Sequence, residues 1–176
     1  HRLGPHAMLT ASLFGSRIDD LIVYNDPDDF LGPIPGKNYN IDEARITGID
    51  LAVDASRGPW YGRVEAVLQN PVDLKSDATL PRRSKKSLAA GIGYLGERFE
   101  LGIDWLAVGP RIDSSFNPER LAGYTLADLS GRYFIDRRWN VQLRIENVFD
   151  THYEPAAGYR GAARTFLVGM SYDSAR

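Results

Sequence analysis

The sequence predicts an all-β fold: an antiparallel meander of eight strands that crosses a membrane as part of a β-barrel. Three observations lead to this prediction. Apolar and polar side chains alternate along eight segments, as they do on the two faces of a strand. The connections between these segments alternate between short and long. Aromatic residues lie at the strand ends that adjoin the short connections.

The clearest strand begins at Trp139 and alternates for eight residues. Its two faces differ completely in polarity, with Trp139, Val141, Leu143 and Ile145 on one side and Asn140, Gln142, Arg144 and Glu146 on the other. In a soluble protein the apolar face would pack on a core. In a membrane barrel it would meet lipid, and the polar face would line a wet lumen. This strand alone fits both structures.

Seven further segments alternate in the same way. The first begins at Leu9 and changes phase between Gly15 and Asp20, which predicts a β-bulge. None of the segments has a helical period, and no apolar run approaches the ~20 residues of a membrane helix. The remaining six strands begin near Ile49, Trp60, Leu88, Phe99, Leu129 and Phe166.

The lengths of the connections distinguish between a membrane barrel and a soluble sheet. Three are short, at 54–59, 96–98 and 136–138, and four are long, at 25–40, 70–84, 110–123 and 150–161. Soluble meanders favour short hairpins throughout, whereas outer-membrane barrels combine short periplasmic turns with long extracellular loops. The lengths therefore favour a barrel wall in lipid, with its short turns in the periplasm.

Five aromatic residues lie at the level of the short turns. Rings of this kind form girdles where a barrel crosses the membrane–water interface. The alternative is that they close one end of a soluble sandwich. The predicted membrane girdle consists of Trp60, Phe99, Tyr133, Trp139 and Tyr172.

Composition excludes several functional classes. The 176 residues carry a formal net charge of −2, which argues against a nucleic-acid binder. The absence of cysteine removes disulfides, thiolate catalysis and Cys-based zinc sites. The three histidines are scattered, and no catalytic motif is present, so we predict neither an enzyme nor a cofactor. The sole metal candidate is a calcium site at Asp26, Asp28 and Asp29.

Several motifs resemble those of TonB-dependent outer-membrane receptors. The segment ENVFDTHYEPAAGYRGAARTFLVGMSY (146–172) is similar to their closing strand, loop and final strand. LPRRSKKSLAAGIGY (80–94), AGYTLADLSGRYFIDRRWNVQLRIENVFD (122–150) and IDEARITGIDL (41–51) resemble earlier strands of the same barrel. Within the family the pattern is most similar to the vitamin B12 (cobalamin) transporter branch.

The resemblance implies that residues 1–176 are the C-terminal part of the receptor barrel, eight of its 22 strands, without the plug domain. It implies a place in the bacterial outer membrane and a function in binding and actively importing a large, scarce solute such as cobalamin. A ferric-siderophore receptor is the first alternative. A self-contained eight-stranded structural or adhesion barrel is the alternative from another class.

The same resemblance implies a set of partners. These are outer-membrane lipid, the plug domain and remaining strands of the receptor, the outer-membrane assembly machinery, and TonB, which would be contacted through the missing N-terminal part.

The long loops are the expected place of ligand recognition. The segments expected at the mouth are Asp29–Asn40, Asp73–Arg83, Ser114–Arg120 and Tyr153–Arg160. The candidate ligand-binding residues are Tyr153, Tyr159, Arg160, Arg82, Arg83, Phe116 and Asn117.

Other polar residues have an expected structural role. Asn147 and Asp150 follow the last apolar residue of their strand, and their side chains are expected to hold a turn through local backbone hydrogen bonds. Charged residues of the lumen face are expected to form cross-strand pairs rather than catalytic groups. These are Asp128, Arg132, Arg144 and Glu146.

Overall fold

The computed structural model describes residues 1–24, 38–113 and 120–174. Eight long strands form one antiparallel sheet in chain order, and two short strands form a separate pair between the fifth and sixth of them. The long strands are β1 (Ala7–Tyr24), β2 (Asn38–Arg57), β3 (Trp60–Asp73), β4 (Lys86–Leu95), β5 (Phe99–Val108), β8 (Tyr124–Phe134), β9 (Trp139–Glu146) and β10 (Thr165–Tyr172). The short strands are β6 (Arg111–Ile112) and β7 (Arg120–Leu121).

This architecture confirms the predicted all-β antiparallel meander. The sheet is open, with β1 and β10 at its two edges, so it does not form the closed eight-stranded barrel of the adhesion alternative. Among the described residues, no helix is both long enough and apolar enough to cross a membrane.

The strand register gathers the alternating residues into two continuous faces. Leu143 lies opposite Gly131 on β8 and Val168 on β10, whereas Gln142 lies opposite Arg132 and Gly169. Side chains directly opposite on neighbouring strands point to the same face of the sheet. Most apolar residues of the eight strands therefore share one face and most charged residues share the other, with Phe14 and Tyr61 as exceptions on the polar face and Arg17 and Arg57 as exceptions on the apolar face.

The apolar face is left uncovered. Leu143 is 46% exposed and Val168 is 76% exposed. Few residues are buried anywhere in the described part of the chain, although a soluble domain of this length buries a large core. Large exposed apolar patches mark surfaces that meet a partner or a membrane. The buried apolar residues are Ala44, Ala52, Val72, Leu80, Leu121 and Ala127.

The predicted bulge in β1 is wrong. Asp19 lies opposite Glu43 and Leu21 opposite Ile41, so both strands advance by two residues and none is inserted. The change of phase comes from Asp20, whose φ is 59°, a left-handed conformation that Asp adopts more readily than most residues. As a result Ile18 and Leu21 both pack against one small core.

Aromatic side chains cover two glycines of the polar face. A Cβ at Gly93 would overlap the ring of Tyr61, its partner on β3, and a Cβ at Gly48 would lie 2.5 Å from Cζ of Phe14, its partner on β1. Covering a strand glycine with a cross-strand ring restores contacts that the missing side chain would have made. A side chain at Gly93 would require the Tyr61 ring to move, and one at Gly48 would also meet the backbone carbonyl oxygen of Leu68.

The rings of the predicted girdle gather at the short-turn end of the sheet. Phe99 lies opposite Tyr133 in register, and the Trp139 and Tyr172 rings are 4.7 Å apart. Trp60 meets Tyr94, a ring absent from the predicted set, edge-on at 5.0 Å. Their role at the membrane interface stays a prediction.

A capped turn joins β8 to β9. Oδ1 of Asp136 accepts hydrogen bonds from the backbone N–H groups of Arg138 (2.7 Å) and Trp139 (2.8 Å). These two bonds favour the charged carboxylate and lower the pKa of Asp136. The turn therefore stays tight without a glycine.

Candidate ligand-binding site at the long loops

Two residues organise the root of the loop between β9 and β10. Asn147 is buried, has a φ of 50°, and donates hydrogen bonds to the carbonyls of Thr151 and Ala162, both at 3.0 Å. Its Oδ1 accepts from the Thr151 amide at 2.8 Å. Asp150 has a φ of 52° and accepts from the Arg164 amide at 2.9 Å. The predicted turn role of Asn147 and Asp150 is confirmed.

The β6–β7 pair is attached to this loop by Arg111. Its side chain is buried and donates a hydrogen bond to the Glu154 carbonyl. Its guanidinium carbon lies 5.4 Å from the centre of the Tyr124 ring, within the range of a cation–π contact. Arg111 thus joins two of the long connections to the start of β8.

A pair of tyrosines continues this contact. The rings of Tyr124 and Tyr153 lie 4.5 Å apart. Gly161 permits the arrangement, because a Cβ there would overlap the Tyr153 ring. Its amide also donates to the Tyr153 carbonyl at 2.8 Å. The Tyr153 ring therefore packs against both the Tyr124 ring and the backbone at Gly161.

Arg82 attaches a third connection to β6. Its Nε lies 2.9 Å and its Nη2 3.3 Å from the two carboxylate oxygens of Asp113, which is 9% exposed. The Arg82 amide donates to the Ile112 carbonyl at 2.7 Å, with Arg82 itself at a φ of 56°. This bidentate pair gives Arg82 a structural role in the loops.

These contacts leave a cleft of about 540 Å³ between residues 120–124 and 152–160. Tyr124 and Tyr153 supply aromatic surface, Arg120 and Arg160 supply positive charge, and Glu154 supplies a carboxylate. Sites of this size that combine aromatic walls with a few polar groups suit organic ligands. The cleft can bind a large solute that carries both flat apolar surface and polar or anionic groups.

The structure brings together only some of the predicted site residues. Tyr153 and Arg160 line the cleft, and Tyr159 is 72% exposed on the same loop. Arg82 is held by Asp113, and Arg83 is exposed beside it. The candidates Phe116, Asn117, Asp26, Asp28 and Asp29 lie outside the described residues.

Sequence reasoning missed Arg111 and Tyr124. The only signal was that Tyr124 precedes an alternating strand directly after a long connection. No group of three potential metal ligands is present within the described ranges.

The predicted cross-strand pairs are confirmed for Asp128, Arg132 and Arg144, whereas Glu146 pairs with Arg144 on its own strand, β9. Arg144 contacts Asp128 at 3.0 Å and Glu146 at 2.9 Å, and Arg132 contacts Glu100 at 2.9 Å. A third group, on β2 and β3, joins Arg63 to Asp54 and Glu65. The pairs of Arg144 with Asp128, of Arg132 with Glu100 and of Arg63 with Asp54 connect neighbouring strands in the wall, and the other two lie within one strand.

The sequence matches one protein family and is similar to known transporters. Residues 2–148 match the family described as "TonB dependent receptor-like, beta-barrel". The chain is 33% identical over 175 residues to the vitamin B12 transporter BtuB of Photobacterium profundum. The match covers 96% of this chain and 28% of that relative, so the chain spans little more than a quarter of the relative's length.

Two solved structures have the same fold as this chain over almost all of its length. The copper transporter OprC superposes with a TM-score of 0.77 at 18% identity, over 97% of this chain and 29% of that one. The ferric-catecholate import receptor Fiu from E. coli K12 superposes with a TM-score of 0.70 at 22% identity, over 97% and 26%. At these identities the likeness concerns the fold alone.

Proposed function

The chain belongs to the TonB-dependent receptor-like β-barrel family, and on this basis we propose that it forms part of the wall of an outer-membrane transporter for cobalamin. Receptors of this family are outer-membrane proteins of Gram-negative bacteria and are transporters, not enzymes. The predictions of an outer-membrane location and of a non-enzyme are thereby confirmed. From this family membership we propose the solute, the transport activity and the partners of this chain.

The observation that carries the choice of solute is the 33% identity to a vitamin B12 transporter over 96% of the chain. The cleft supports it, because its aromatic and cationic groups suit a large ring system with polar substituents. The solved siderophore receptors support the ferric-siderophore alternative less, since at 22% and 16% identity they are similar only in fold.

This segment would contribute to binding of the solute, and the energy for its import would come from outside the segment. The loops would contribute the cleft beside Tyr153 and Arg160, and the polar face would line the lumen opposite a plug domain. TonB, acting through an N-terminal part of the receptor, would supply the energy for import. The outer-membrane assembly machinery would insert the barrel, and membrane lipid would surround it.

The test uses the receptor that contains this chain, produced in cells lacking their own cobalamin and siderophore receptors. Intact cells are incubated with labelled cyanocobalamin and, separately, with a labelled ferric catecholate. We expect cobalamin to be retained with an affinity that falls about tenfold, or about 1.4 kcal/mol, in Arg160→Gln.

The matched control is Arg137→Gln. It removes the same charge from an exposed residue of the β8–β9 turn, at the opposite end of the sheet. Binding by this variant should equal that of the wild type. Retention of the ferric chelate without cobalamin would replace this proposal by the siderophore alternative, and retention of neither would remove both.

A further inference from the structure

The apolar face contains a groove near the short-turn end of β2, β3 and β4. It encloses about 530 Å³. It exists because small residues meet in register on three strands: Ala7 lies opposite Ala55, and Ala55 lies opposite Gly62. On the other strands of this face, the residues at the same height along the sheet have larger side chains.

Apolar side chains form the walls of the groove. Trp60, which is 53% exposed, lies two residues nearer the short turn than Gly62. Trp105 lines the other side, opposite Ala90. Flat rings on either side of a floor of small residues favour a slender hydrocarbon chain over a bulky ligand.

The groove has a positively charged end. Arg57 lies opposite Trp60 in register and lines the groove together with His6. Within ranges 1–24, 38–113 and 120–174, no carboxylate forms an ion pair with Arg57. Arg63 differs, because it points to the polar face and is held between Asp54 and Glu65. The Arg57 guanidinium is thus available for a phosphate, which it can bind through two hydrogen bonds.

We propose that this groove is a binding site for one anionic glycerophospholipid. An acyl chain lies between Trp60 and Trp105, and the phosphate contacts Arg57. The apolar walls alone would accept any lipid, and Arg57 at their end selects an anionic head group. This inference needs the apolar face to lie in the bilayer but does not depend on the transported solute.

Native mass spectrometry of the detergent-purified receptor containing this chain tests the inference. Dioleoyl-phosphatidylglycerol and dioleoyl-phosphatidylcholine are added separately at increasing concentration. We expect one phosphatidylglycerol to remain bound at concentrations where phosphatidylcholine is lost. Arg57→Gln should weaken phosphatidylglycerol about tenfold and leave phosphatidylcholine unchanged, whereas Ala55→Leu, which fills the floor, should weaken both.

Two control variants match these changes. Arg98→Gln removes an exposed arginine at the same end of the sheet, and Ala11→Leu enlarges a residue of the same face away from the groove. Both should bind lipid as the wild type does. Equal retention of the two lipids by the wild type, equal effects of Arg57→Gln and Arg98→Gln, or preferential retention of lipid A would each overturn the proposal.

Discussion

Arg82 and Asp113 connect two long loops through a bidentate ion pair, with Nε of Arg82 2.9 Å from Oδ1 of Asp113. The carboxylate is buried and the guanidinium is half exposed. The loop between β3 and β4 is therefore fastened to β6. Because Arg111 fastens β6 in turn to the Glu154 carbonyl, three connections between strands form one contact network.

Replacing Arg82 by Gln should loosen this network. The buried Asp113 carboxylate would lose its charged partner, and an unsatisfied buried group costs about 1–3 kcal/mol. Hydrogen exchange in residues 78–83 and 111–113 should accelerate by about one to two orders of magnitude. Arg83→Gln, which changes the exposed neighbour, should leave these rates unchanged, and equal rates in both variants would exclude the network.

Replacing Asn147 by Ala should destabilise the loop between β9 and β10. The change removes three side-chain hydrogen bonds at a buried position. It also places alanine, which has no polar side-chain group to stabilise a left-handed backbone, at a φ of 50°. We expect a loss of about 2–4 kcal/mol in the free energy of unfolding. Urea unfolding of the receptor in lipid vesicles measures it.

Asn140→Ala serves as the comparison for this loss. Its side chain accepts one hydrogen bond, from Gln142, so the cost should stay below about 1 kcal/mol. Equal losses in the two variants would contradict the structural role of Asn147.

The strands were predictable from the sequence because alternation fixes which residues share a face. Alternation also requires that apolar residues of neighbouring strands face each other, as Leu143 and Val168 do, but a shift of two residues would satisfy it equally well. The phase change at Asp20 was visible, but its cause was not, since a left-handed residue and an inserted one disturb alternation in the same way. The turn role of Asn147 could be read from its position after a strand.

The loop contacts were not predictable. Arg82 and Asp113 lie 31 residues apart, and nothing in the local sequence distinguishes a paired arginine from a ligand-binding one. The contact of Leu80 with Ala44 likewise depends on how a long connection folds back. Residues such as Arg111 acquire their role only through tertiary packing.

Placing a charge on the apolar face should be costly. Leu143→Arg would expose a guanidinium to lipid, which costs about 2–4 kcal/mol near the middle of a barrel wall. Gln142→Arg lies one residue away on the polar face, where facing Arg132 should cost about 1 kcal/mol or less. Urea unfolding in lipid vesicles compares the two, and a greater loss for Gln142→Arg would reverse the assignment of the faces.

The short turns should face the periplasm and the long loops the outside of the cell. A peptide epitope inserted after Ser76, in the loop between β3 and β4, should be labelled by antibody on intact cells. The same epitope between Arg57 and Gly58 should be labelled only after permeabilisation. The opposite pattern would reverse the sidedness, and labelling of both sites on sealed cells would exclude a spanning wall.

We expect the apolar face of the sheet to meet lipid and the polar face to meet water. Spin labels at positions 142 and 143 of the receptor, reconstituted in lipid vesicles, test it most directly, because adjacent strand residues point to opposite faces. The label at 143 should respond to oxygen, which concentrates in lipid, and the label at 142 to a water-soluble nickel chelate. A label at 143 shielded from both reagents would place that face against a protein core and exclude a wall in lipid.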